Sequence, residues 1–134
     1  MTTPSSPKRV LFVCIENANR SQMAQAFACI HGGPTIEASS AGSRPSGQIN
    51  PKATETSREL GYDLDTHESE SLADIPDVEY DVVVTMECGD ACPFVRAARR
   101  EDRNIPDPKE FSPERFRQVR NVIEAKVKEL LASL

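Results

Sequence analysis

The stretch Val10-Leu11-Phe12-Val13-Cys14-Ile15-Glu16-Asn17-Ala18-Asn19-Arg20-Ser21-Gln22-Met23-Ala24-Gln25-Ala26-Phe27 decides the fold. It opens on an unbroken apolar run with β-branched members, the pattern of a strand buried on both faces. A polar loop follows. Then Met23, Phe27 and Ile30 recur at spacings of four and three, which predicts a helix from Arg20 to His31. Gly32-Gly33-Pro34 stops it. Where a strand feeds a helix, unpaired N–H groups and the positive end of the helix dipole meet at the junction. Such a junction attracts anions.

Working outward, Thr35 to Ala41 reads as a second strand, and Gly42 to Asn50 as a loop rich in Ser, Gly and Pro. Pro51 opens a helix to Leu60, with Gly61 as its stop. Asp63 to Asp77 is acidic and irregular. Tyr80 to Met86 is a second apolar strand, followed by a loop, Glu87 to Phe94, that holds Cys88, Gly89, Asp90, Cys92 and Pro93. A short strand is expected within Arg103 to Pro108, ending at the Asp107-Pro108 turn. After Ser112-Pro113 a final helix presents Phe116, Val119, Ile123, Val127, Leu130 and Leu134 on one face.

This alternation predicts a single α/β domain over residues 1–134, with 1–7 a loose terminus. Its expected architecture is a doubly wound parallel sheet of about four strands with helices on both faces. In such sheets ligands sit beyond the carboxyl ends of the strands. Cys14 and the Cys88 loop are therefore expected on one rim.

Composition narrows the function. A chain of 134 residues fits one core. Its net charge of −5 argues against a general nucleic-acid binder, which needs a basic face. It permits capture of a small anion, which backbone N–H groups and one arginine can perform locally. The Val10–Val13 run is too short for a signal peptide's apolar region or a membrane span, so a cytoplasmic protein is expected. Four irregularly spaced cysteines without a secretory signal read as reduced thiols.

The chemistry concentrates in Cys14, five loop residues, Arg20 and Ser21. A cysteine at a helix N-terminus favours its thiolate, the nucleophilic form. Arg20 can offer planar bidentate donors to two oxygens of a phosphate or arsenate, and Ser21 stands where it can donate to the sulfur. A bare Cys-x5-Arg is weak; between an apolar strand and a periodic helix it is specific. The oxyanion-binding loop comprises Ile15, Glu16, Asn17, Ala18, Asn19, Arg20 and Ser21.

The segment Val10–Phe27 resembles the phosphate-binding loop of the low-molecular-weight tyrosine phosphatase superfamily. Within it Arg20-Ser21-Gln22-Met23-Ala24 is similar to the arsenate reductases of the thioredoxin-coupled class. Ser40-Ala41-Gly42 resembles the family's second-strand end, Thr85-Met86-x-Cys88-Gly89-Asp90-x-Cys92-Pro93 its redox segment, and Ile105-Pro106-Asp107-Pro108 its general-acid loop. The resemblance implies a phosphotyrosine phosphatase I-like fold. It implies Cys14 as nucleophile, Arg20 as oxyanion clamp, and Asn17 and Ser21 as loop supports. Asp107 would be the general acid, and Cys88 and Cys92 a thiol–disulfide relay. Glu16 stands where the phosphatases often carry glycine, and its carboxylate is expected to point outward.

On this reading arsenate is the substrate, with phosphate or sulfate as mimics. No metal or tightly bound cofactor is expected, and electrons come from an external thiol donor, thioredoxin or similar. No nucleic acid and no membrane takes part. A helical turn between Cys88 and Cys92 would set their Cα atoms about 6 Å apart, within disulfide reach. The same pair could instead be half of a zinc site or two packing thiols, and Asp107-Pro108 a plain turn. The rival activities are a tyrosine phosphatase using the same loop and an oxyanion sensor without turnover. Cys29 is expected to be a core or semi-buried thiol, His31 and His67 surface or structural histidines, and Arg96, Arg99, Arg100 and Arg103 a solvated face.

Overall fold

The Val10–Val13 run occupies the centre of a parallel sheet. The computed structural model describes residues 7–14, 19–42, 47–62, 64, 67, 71, 74–75, 78–86, 96–102, 105 and 111–134. The elements are β1 (Lys8–Cys14), α1 (Arg20–Gly32), a 3-10 turn (Gly33–Thr35), β2 (Ile36–Gly42), α2 (Pro51–Arg58), β3 (Tyr80–Thr85), β4 (Ala97–Asp102) and α3 (Pro113–Ala132). Strand order is β2-β1-β3-β4, all parallel. In register, Cys14 faces Gly42 on β2, and Val13 faces Thr85 on β3.

Two clusters form on the faces of this sheet. Val10, Phe12, Cys14, Val82 and Val84 pack with Met23, Ala24 and Phe27 of α1, Ala53 of α2 and Phe116, Val119, Ile123, Val127 and Leu130 of α3. The alternate residues Leu11, Val13 and Val83 join Ala41, Tyr80, Ile75, Val78 and Ala97 in the second. Both faces of β1 are thus covered, as its unbroken apolar run requires.

Local signals fix the helix ends. Gly33 (φ +57°) follows α1 and Gly61 (φ +87°) lies just beyond α2, in the left-handed region where a side chain would be strained. Asn50 caps α2, its Oδ1 accepting from the Lys52 N–H at 2.9 Å, with Pro51 behind it at the first helical position. Asn50→Ala is expected to lower stability by about 1 kcal/mol. Urea denaturation should show the midpoint falling with the slope unchanged; an unchanged midpoint would mean the cap contributes nothing. Between α2 and α3, Arg117 grips the Glu59 carboxylate, Nη2 to Oε2 2.8 Å, and Arg120 Nη1 reaches both Glu59 Oε1 (2.7 Å) and the Thr56 carbonyl (2.9 Å). Hydrogen bonds from Arg117 and Arg120 hold that carboxyl below its ordinary range.

Four expectations are corrected. The fourth strand is Ala97–Asp102, ahead of the Arg103–Pro108 stretch that the turn suggested. Backbone pairing of Tyr80 with Ala97 through Thr85 with Asp102 builds it at the sheet edge, without an apolar run. Ile30 is exposed, because the buried stripe of α1 runs out after Ala28, and His31 instead stacks near Phe27 and pairs with Glu124 of α3. Leu134 is exposed beyond the end of α3. Cys29 is exposed as well. Arg96, just before β4, and Arg99 and Arg100 within it are exposed, with Arg99 paired to Glu101 and Ser133, while Arg103 lies outside the described residues.

Candidate active site

Neighbouring strands β1 and β3 send the chain in opposite directions, β1 toward β2 and β3 toward β4. Their adjacent carboxyl ends are the switch point where such sheets bind ligands. Cys14 ends β1 there, and Met86 follows β3, its N–H bonded to the Val13 carbonyl at 2.9 Å. The Cys88 segment accordingly leaves from the strand beside Cys14.

Cys14 is buried, 3% exposed. Its Sγ lies 2.8 Å from Oγ of Ser21, the second residue of α1. A hydroxyl can donate to a thiolate and can accept from a thiol, so the contact is a hydrogen bond in either ionisation state. Asn19 stands at the cap position of α1, its carbonyl accepting from the Met23 N–H at 3.0 Å. Arg20, the first helical residue, is 4% exposed, and its Nη1 donates to the Ile105 carbonyl at 2.8 Å. That bond fixes the guanidinium plane beside the helix N-terminus and ties α1 to the chain two residues before Asp107.

The structure therefore brings together Cys14, Arg20 and Ser21 at one helix start, with Asn19 at the cap. Ile15, Glu16, Asn17 and Ala18 lie outside the described residues, as do Cys88, Cys92 and Asp107. Among the described residues no group of three or more His, Cys, Asp or Glu side chains is arranged to hold a metal ion. Nor is any described helix long and apolar enough to cross a membrane.

Several contacts escaped the sequence reading. The Ile105 carbonyl is a backbone group and carries no residue-type signal. Thr85 Oγ1 donates to Asp102 Oδ1 at 2.7 Å, joining the carboxyl ends of β3 and β4. Gln22, fully buried in α1, accepts from His67 at 2.9 Å, and His67 meets Tyr62 at 2.7 Å. A buried glutamine directly after Arg20-Ser21 was the available signal, since such an amide requires a partner.

A buried strand-end cysteine 2.8 Å from a hydroxyl in the first turn of the next helix, at the switch point of a β2-β1-β3-β4 parallel sheet, marks where such a fold binds its ligands. The chain belongs to the low molecular weight phosphotyrosine protein phosphatase family, whose model matches residues 9–134. Among its relatives it is similar to a glutaredoxin arsenate reductase of Synechocystis sp., 35% identical, covering 95% of this chain and 98% of that one. A solved arsenate reductase in its phosphate-binding state superposes with TM-score 0.86 at 34% identity, covering 94% of this chain and 98% of that chain. A thioredoxin-dependent arsenate reductase of Corynebacterium glutamicum superposes with TM-score 0.79 at 29% identity, covering 98% of this chain and 63% of that chain.

Proposed function

We propose that this chain is an arsenate reductase that forms a thiolate adduct at Cys14 and passes electrons through Cys88 and Cys92. The observation that carries the reading is the Cys14 Sγ–Ser21 Oγ contact of 2.8 Å next to a guanidinium anchored on Ile105. The α1 N-terminus and Arg20 offset the charge of the bound oxyanion. The Cys14 thiolate attacks arsenic(V), and an oxygen leaves with a proton from Asp107. The Cys88 thiolate next attacks the Cys14 sulfur. The sulfur–arsenic bond breaks, its electron pair stays on arsenic, and arsenite departs. Cys92 then displaces Cys14, leaving a Cys88–Cys92 disulfide that an external thiol donor reduces. The names of the relatives support either thioredoxin or glutaredoxin in that role.

The same cup suits a phosphate ester, so hydrolysis of small aryl phosphates is a side activity to expect. The reductase reading is favoured over a tyrosine phosphatase because the chain has no Trp. Of its two tyrosines, Tyr80 begins β3, far from that strand's carboxyl end, and Tyr62 is turned to His67. Neither is placed to wall an aromatic cleft.

Steady-state assay with arsenate, thioredoxin, thioredoxin reductase and NADPH, run in parallel with a glutaredoxin system, tests the proposal. Wild-type protein should turn over with at least one donor. Cys92→Ser should release about one arsenite per chain and then stop with a Cys14–Cys88 disulfide, visible by mass spectrometry. Sustained turnover by that variant at the wild-type rate rules the relay out.

A further inference from the structure

Gln22 follows Arg20 and Ser21 in the first turn of α1 and is fully buried. Its side-chain Oε1 lies 2.9 Å from His67 Nδ1. An amide oxygen only accepts, so Nδ1 carries the hydrogen and Nε2 of the neutral ring is an acceptor. Tyr62 Oη stands 2.7 Å from His67 in that position and donates to Nε2, with the two rings edge-on at a centroid distance of 5.3 Å. The direction of donation therefore runs from Tyr62 to His67 to Gln22.

Burial, with the charge and hydrogen bond of Cys29 adding to it, pushes the Tyr62 phenol up to about 12, so it remains a donor across the neutral range. Burial also holds His67 below its ordinary 6.5, which keeps the ring neutral. Among the described residues, Tyr62 and Gln22 hydrogen-bond to His67. The connection that carries Tyr62 and His67 continues to Ser71, which bridges to Gly42 at the carboxyl end of β2. One strap is thus fastened both to the rim of the sheet and to the first turn of α1.

We propose that His67, oriented by Tyr62, is a positioning residue for the oxyanion site, acting through Gln22 on the α1 turn that carries Arg20 and Ser21. It touches neither the substrate nor the reacting sulfur. Its effect is on how tightly the oxyanion is held, and the thiol relay proceeds without it. The inference rests on the oxyanion-site reading above, and deepens it.

The test measures inorganic phosphate binding to the reduced protein by calorimetry, together with KM and kcat for arsenate. His67→Ala should weaken phosphate binding and raise KM by about tenfold, with kcat within about twofold, because a buried acceptor loses its donor beside the site. His67→Gln, whose amide N–H can still reach Gln22 Oε1, should restore affinity to within about threefold of wild type. Tyr62→Phe should cost about threefold in phosphate affinity and in KM, since the ring loses the hydrogen bond that orients it. A merely structural strap would lower the melting temperature in these variants and leave phosphate affinity and KM alone; that result overturns the proposal. So does a His67→Gln loss as large as that of alanine. Should the alanine variant not fold, unchanged phosphate affinity in Tyr62→Phe overturns it alone. Wild-type protein that binds phosphate but never turns over arsenate would defeat the reductase reading and leave the positioning claim intact.

Discussion

Cys14→Ser is expected to abolish arsenate reduction, lowering kcat/KM by at least about 10⁴-fold, because the step that forms the adduct has no other nucleophile to use. The sulfur ends β1 at the switch point, 2.8 Å from the Ser21 hydroxyl. Serine there keeps a hydrogen bond to Ser21 and nearly the same volume, so the fold should persist. Phosphate affinity should stay within a few-fold of wild type, since the proposed reading gives the hold on the oxyanion to Arg20 and the helix N-terminus. The loss should therefore fall on kcat, with binding spared. If Cys14→Ser reduces arsenate within tenfold of wild type, residue 14 is not the nucleophile.

Arg20→Lys should lower kcat/KM by about 10³-fold and weaken phosphate binding by at least about tenfold. The charge is kept, so the loss measures geometry. A guanidinium carries its donors in a rigid plane, and the 2.8 Å bond to the Ile105 carbonyl sets the orientation of that plane. An ammonium is a point charge on a flexible stem, and cannot serve two oxyanion oxygens while also holding that carbonyl. Arg20 is 4% exposed, so the replacement also leaves buried polar groups without partners. Retention of kcat/KM within about threefold would show that Arg20 does not clamp the oxyanion. Both variants can be read in the same coupled assay, with circular dichroism to confirm the fold.

Where burial is set locally, the sequence was readable. The β1 run, the stop at Gly33, the helix start at Pro51 and the apolar face of α3 from Phe116 to Leu130 each follow from residue pattern alone, and the structure agrees. Cys14, Arg20 and Ser21 were legible for the same reason, because strand end and helix start are adjacent in the chain. The misses share the opposite cause. Edge strand β4, Ala97–Asp102, exists because β3 offers it a hydrogen-bonding partner, and its composition alone would suggest a polar helix or loop. Ile30 fits the helical period but lies beyond the stretch of α1 that the sheet and α3 cover. His67 has no companion in sequence; its partners Gln22 and Tyr62 become visible only when the β2–β3 connection is laid against α1.

The contact between Arg20 and Ile105 spans a sequence separation of 85 residues. Closing so large a loop carries an entropic cost that nearby contacts do not. The Arg20–Ile105 bond therefore forms only once two distant parts of the chain have come together. A bound oxyanion consequently selects the fully folded state: at a hundredfold excess over its dissociation constant it would add about 2.7 kcal/mol to the unfolding free energy by mass action. In a cell rich in phosphate, the ion that competes with the substrate would also act as a chaperone for the site it occupies.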